Sequence, residues 1–182
     1  MSTKTLLTVD QFAQLPDEEV WRYELYHGEL IEVPASNPKH NLMRDNIRGI
    51  FQSFLDEHKL GVAITETEFQ VGPDTVHRID VAFLASEQWT QLDQEKSIVP
   101  FAPRLAIEIA SPSDTVETLF GKAQEYLAAG AHTVLIVLWK PFQEVHVFEA
   151  SGARRLLRPE ETLELPELLP GFSVVVSRFF EE

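Results

Sequence analysis

The 182-residue chain has no cysteine. Disulfides, thiolate zinc sites and cysteine nucleophiles are therefore excluded, and the absence suits a reducing compartment. Positive charge is scarce as well: 15 Lys and Arg against 29 Asp and Glu give a formal net charge of −14. So few cations do not make a broad surface that holds nucleic acid by counterion release, so any such contact has to be local or metal-assisted. No apolar run approaches the roughly 18 residues of a membrane-spanning helix. The opening segment, Met1-Ser-Thr-Lys-Thr-Leu-Leu-Thr-Val-Asp10, is too briefly apolar and too soon acidic for a signal peptide. These absences lead to the expectation of a soluble, cytoplasmic protein with no membrane partner.

What is present suits one domain over residues 1–182, since 44% of the residues are apolar and a chain of this size buries roughly 70% of its unfolded surface. Thr8 or Asp10 caps a short helix that Pro16 closes. Tyr23–Tyr26 and Glu29–Val33 read as strands around a His27-Gly28 turn. From Lys39 to His58 the apolar positions Leu42, Met43, Ile47, Ile50, Phe51, Phe54 and Leu55 predict an amphipathic helix, ended by Gly61. Val62–Val71 and the strand holding Asp80 form a hairpin about Gly72-Pro73-Asp74. Residues 86–103 read as a loop or short helix long enough to rim a site. Asp114 and Glu117 have capping-box spacing for a helix that runs to Ala129 and stops at Gly130. Thr133–Trp139 is continuously apolar, as a strand covered on both faces would be, and Glu144–Phe148 alternates beside it. The tail is short elements that close a sheet edge or a dimer surface.

Two acids interrupt strongly apolar strands. With strict alternation, Ile79, Val81 and Phe83 face one way while Asp80, Ala82 and Leu84 face the other. The same parity places Glu108 between Ala106 and Ala110, opposite Leu105, Ile107 and Ile109. Small neighbours leave a crevice with a charged floor, suited to a divalent cation. On the next helix, Lys122 borders the stripe of Val116, Leu119, Phe120, Ala123, Tyr126 and Leu127. It lies about 9 Å along the axis from Val116. A helix doubling back over its strand returns Lys122 to the level of Glu108.

The combination of Arg-x-Asp at 78–80, Ile-Glu-Ile-x-Ser-Pro-Ser at 107–113, Lys-x-x-Glu-Tyr-x-x-Ala-Gly at 122–130, Trp139 and Leu-Pro-Gly-Phe at 169–172 resembles the Uma-type restriction endonucleases. These are members of the PD-(D/E)XK nuclease superfamily. The resemblance also takes in the Gly28-Glu29-Leu30-Ile31 hairpin and His40 at the start of the long helix. It implies an α/β (α+β) fold, a restriction-endonuclease-like core in which helices flank a central mixed β-sheet. It further implies hydrolysis of phosphodiester bonds, with DNA the expected nucleic acid. Asp80 matches the superfamily aspartate, Glu108 the second acid, and Lys122 a lysine moved from the strand to the following helix. Two positions depart from the pattern: Ile79 stands where proline is usual, and Ile109-Ala110 occupy the place of the in-strand lysine.

The residues account for such chemistry in their own terms. Asp80, Glu108 and the Ile109 carbonyl are hard oxygen ligands for Mg²⁺ or Mn²⁺, and Lys122 is a point charge for the phosphoryl oxygens. Glu24 and Glu29 are further candidate ligands from the hairpin. His40 is a helix-start residue that reaches a phosphate if the helix end borders the crevice. His77, His132 and His146 lack i, i+4 partners and are assigned no role, and Ser111 and Ser113 read as turn or cap residues. Other readings stay open: a structural Glu108–Lys122 ion pair, a nuclease fold that only binds or assembles, or an acidic protein mimicking DNA toward a basic partner. A homodimer is expected from the fold class.

Overall fold

The computed structural model of the protein describes residues 6–16 and 22–181. The first five residues of the segment weighed above as a signal peptide therefore lie outside the described residues. Helix α1 (Val9–Phe12) is opened by a reciprocal Thr8–Gln11 capping box and ends at Ala13. Strands β1 (Tyr23–Tyr26) and β2 (Glu29–Glu32) form the expected hairpin. Its two-residue turn places both His27 and Gly28 at positive φ, 48° and 79°, the handedness that matches strand twist.

The long helix α2 (Pro38–His58) begins one residue earlier than its apolar period suggests, because Asn37 caps it and Pro38 suits the first turn. Lys59, in the left-handed conformation, ends it, where the sequence pointed to Gly61. Gly61 instead opens β3 (Gly61–Gly72) at a φ of 150°, where a Cβ would stand 2.1 Å from the Leu84 carbonyl oxygen. β3 pairs antiparallel with β4 (Thr75–Ala85). Residues 86–103 form α3 (Ser86–Gln91) and β5 (Ile98–Val99), which pairs parallel with β3. This segment extends the sheet and lines neither cleft described below, so it is no rim of the site.

β6 (Leu105–Ile109) crosses through α4 (Val116–Ala128) to the parallel strand β7 (Thr133–Leu138). The cap of α4 is Thr115, whose hydroxyl accepts the Thr118 N–H, while Asp114 accepts the Ser111 N–H. The expected Asp114–Glu117 box is therefore replaced by a cap one residue on. β8 (Glu144–Glu149) and β9 (Arg154–Leu157) extend the sheet to its edge. The order β2-β1-β4-β6-β7-β8-β9, with β3 on β4 and β5 on β3, is a mixed nine-stranded sheet. A separate hairpin, β10 (Thr162–Glu164) with β11 (Ser173–Val175), leads into a 3-10 turn at Val176–Phe180.

Helices flank both faces, as the resemblance implies. On one face α2 sets Met43, Ile47, Phe51 and Leu55 against the sheet, and the tail residues Leu163, Phe172 and Phe179 close the same cluster. The tail is thus a cover for α2. On the other face α4 packs Leu119, Ala123 and Tyr126 over Ala82, Ala106, Val134 and Ile136. Small residues on strand and helix let the two approach closely. No described helix is long and apolar enough to cross a membrane.

Candidate active site

Strict alternation fails where it matters most. Val81 and Phe83 join the α2-side cluster and Ala82 and Leu84 the α4-side cluster, but Ile79 lies with Ala82 and Leu84. The face assignment changes between Ile79 and Val81, so the inference that Asp80 shares a face with Ala82 does not hold. β3 changes face at the same level: Ile64 and Phe69 both pack on the α4 side although they are an odd number of positions, five, apart. Glu66, in the pairing gap between Thr65↔Val81 and Thr67↔Ile79, has a φ of 49°. This left-handed residue breaks the pleat across from Asp80, and Asp80 turns toward the start of α2.

There His40 meets it. His40 Nε2 lies 3.2 Å from Asp80 Oδ2 and 3.0 Å from the Ile109 carbonyl oxygen. Both neighbours are acceptors, so Nε2 carries a proton. Burial opposes charging of the ring, but the Asp80 carboxylate outweighs it and raises the pKa. Asp80 Oδ2 also accepts the Ile109 N–H at 2.7 Å, which ties the aspartate to the residue after Glu108.

Glu108 keeps the α4-facing parity expected of it. Its Oε1 accepts the Tyr126 hydroxyl and stands 4.0 Å from Lys122 Nζ. Burial, reinforced by the charges of Asp80 and Glu24, pushes its pKa up to about 8 despite Lys122. Lys122 does reach over the sheet, yet its nearest carboxylate is Glu24 Oε1, at 2.9 Å. Burial lowers the ammonium pKa, and Glu108 with Glu24 more than reverses the effect.

Glu24 is the hairpin residue that enters this network. Burial would raise its pKa, but Lys122 and His77 hold it at about 2. Glu24 Oε1 also accepts the Arg78 N–H, and Oε2 accepts His77 Nδ1–H at 2.9 Å. His77 Nε2 donates to Glu125 Oε2 at 2.7 Å. Carboxylates only accept, so His77 is held as an imidazolium; its pKa rises although burial opposes this. The His77 hydrogen bond in turn lowers the pKa of Glu125. Glu29 sits elsewhere: it pairs with Tyr26 across the hairpin, while Ile31 is the residue opposite Glu24.

Asp80, His40 and the Ile109 carbonyl thus form one contact group and Glu108 with Lys122 another, joined through the Glu108–Ile109 backbone, and Glu29 enters neither. Sequence reasoning passed over His77 and Tyr126. A usable signal existed for Tyr126, four residues after Lys122 and so on the same helical face. None existed for His77, whose partners lie 53 and 48 residues away.

Asp80 opens onto a cleft of about 690 Å³ shared with Arg22, Glu66 and Arg78. Lys122 opens onto another of about 470 Å³ with Glu24, Tyr26, His77 and Glu125. Glu108, 5% exposed, is buried beside Lys122 and Tyr126. Among the described residues no group of three or more His, Asp or Glu side chains forms a metal cage. Asp80 Oδ1 and Glu108 Oε2 nevertheless meet no hydrogen-bond donor among the described residues, and the Ile109 carbonyl, already bonded to His40, has a second lone pair. Hard oxygens in this number fit Mg²⁺ or Mn²⁺, which keep several waters and substrate oxygens in their shell.

Comparison with known proteins follows the same lines. The model of the Uma2 family, "Putative restriction endonuclease", matches residues 9–177. No curated protein matches the chain. Among solved structures, a putative nuclease belonging to DUF820 from Anabaena variabilis ATCC 29413 superposes with a TM-score of 0.83 at 19% identity, covering 96% of this chain and 97% of that one. At this identity the likeness establishes a shared fold.

Proposed function

Because the chain belongs to the Uma2 restriction endonuclease family, we propose that it is a metal-dependent endonuclease acting on nucleic acid, with DNA the expected substrate. The observation that carries the reading is that two neighbouring elements meet adjacent residues of β6. Asp80 of β4 bonds the Ile109 N–H of β6, and Lys122 of α4 stands 4.0 Å from Glu108 on the same strand.

Asp80, Glu108 and the Ile109 carbonyl would hold Mg²⁺ or Mn²⁺, which supplies Lewis-acid polarisation of a phosphate oxygen and a more acidic bound water. The protein's own groups do the positioning. His40 fixes Asp80 and the Ile109 carbonyl from one ring nitrogen. Tyr126 orients Glu108. Glu24, clamped by His77 and the Arg78 N–H, holds Lys122 with its side chain still 22% exposed. That exposure leaves the ammonium able to meet phosphoryl oxygens as their charge grows.

The test is calorimetric titration of Mn²⁺ into the wild type, Asp80→Ala and Glu108→Ala, with circular dichroism confirming that each is folded. Binding lost in both variants supports the site; Lys122→Ala should then bind metal and fail to cleave. A folded wild type that takes no metal at millimolar concentration, even with an oligonucleotide present, rejects the enzyme reading. That result would favour a nuclease fold used only for binding. Lys122 motivates the second reading, since its 2.9 Å bond is to Glu24 and no lysine occupies position 110.

A further inference from the structure

Beside the acids, at the carboxyl ends of the parallel strands β6 and β7, lies a small cationic and aromatic lip in an otherwise acidic protein. Trp139 follows β7 directly, and its Nε1–H donates to the Ala110 carbonyl at 2.6 Å. The ring is thereby fixed two residues past Glu108, about 7 Å along an extended chain. Its π-system gathers two ammonium groups: Lys140 Nζ stands 4.3 Å from the ring centroid and Lys39 Nζ 5.9 Å. Lys39 precedes His40, which touches both Asp80 and the Ile109 carbonyl. Phe142, two residues past Lys140, is 69% exposed, the most exposed large apolar side chain described.

We propose that this lip is a platform for a single-stranded segment of nucleic acid, with a base stacked on Phe142 and a backbone phosphate against Lys140. The inference rests on the nuclease reading for its substrate class and goes further by naming the strandedness. Charge complementarity selects the occupant: the lip concentrates cations in a chain of net charge −14, where a polyanion finds few other places to bind. The aromatic selects the form. A duplex hides its base faces and needs a broad basic surface, whereas an unpaired strand presents a π-face at every base and needs only a few phosphate contacts. Trp139 serves as the mount for the lysines, since Lys140 already occupies its ring, and Phe142 is the stacking face.

The experiment is fluorescence anisotropy of a labelled 12-residue oligothymidylate with the Asp80→Asn protein in chelator, repeated with wild type in chelator. Neither condition cleaves the probe. Phe142→Ala, added to each, should weaken binding about tenfold, and Phe142→Trp should restore it. Lys140→Ala should reduce the slope of log affinity against log salt by about 0.7. A duplex of equal length should bind weakly and be indifferent to Phe142→Ala. Unchanged oligothymidylate affinity in Phe142→Ala overturns the proposal, as does an equal loss for duplex, or a change only in oligomeric state that marks Phe142 as a protein contact. The two readings fail separately. Stacking through Phe142 in a protein that takes no Mn²⁺ rejects the nuclease and keeps the platform; single-strand cleavage with KM unchanged by Phe142→Ala does the reverse.

Discussion

The two faces of the sheet are built on opposite principles. Beyond the His40–Asp80 pair at its first turn, the contacts under α2 are dry: Phe51 stacks on Phe172 at 4.5 Å and 13°, and Phe54 meets the same ring edge-on at 5.3 Å. Under α4, Glu24, His77, Glu108 and Lys122 sit among Ala123, Tyr126 and Ile79, and each ionisable group depends on another. Apolar contacts stabilise in proportion to area and tolerate any pH, whereas buried charges stabilise only while their partners keep the matching ionisation. A site can therefore be held in place by the first face while the second keeps charge ready for chemistry. Removing a group from each face should give failures of different kind.

The largest loss is expected on the dry side. Phe51→Ala should cost about 3–5 kcal/mol in urea unfolding, with little dependence on pH; a strongly pH-dependent loss would erase the contrast between faces. Glu24→Ala should cost about 3 kcal/mol, because Lys122 and His77 lose a shared buried carboxylate. Here the loss should be pH-dependent. The folded pKa of Glu24 is about 2 against an ordinary 4.5, so its stabilisation is present above 4.5 and fades as pH falls toward 2.

Glu108 should behave with the opposite sign. Its pKa is raised from 4.5 to about 8, so the folded state holds the proton more tightly, and stability falls as pH rises through that interval. In chelator, Glu108→Gln should therefore gain in Tm relative to wild type between those two pH values, with the gap widest at the upper end. A constant gap would show that the carboxyl is ionised throughout. The smallest effect should come from Thr115→Ala, about 1 kcal/mol from loss of the α4 cap. Its use lies in the split: if α4 positions Lys122, kcat of any cleavage falls while Mn²⁺ affinity is kept.

Much of this was legible in the residues. The 3.6-residue period of Met43, Ile47, Phe51 and Leu55 placed α2 to within a residue, and the apolar run at 133–139 placed a fully buried strand that ends one residue earlier, at Leu138. Lys122 at the level of Glu108 followed from helix rise and strand rise alone. Those inferences work because period and rise are local properties of the backbone.

What only the tertiary structure decided is set by contacts far apart in the chain. Asp80 reaches His40 because Glu66, on the neighbouring strand, takes a left-handed backbone and the pleat breaks there; two-residue alternation has no means of recording such a break. Glu24 instead of Glu29 meets Lys122 across 98 residues because hairpin register puts Glu24 and Ile31 side by side at the α4 face. His77 becomes an imidazolium only because two carboxylates from β1 and α4 close on its ring. The sequence by itself determined which acids and which lysine were available and on which elements they ride. Their ionisation and partners were left to packing, since desolvation and Coulomb interaction depend on three-dimensional distance and not on sequence separation.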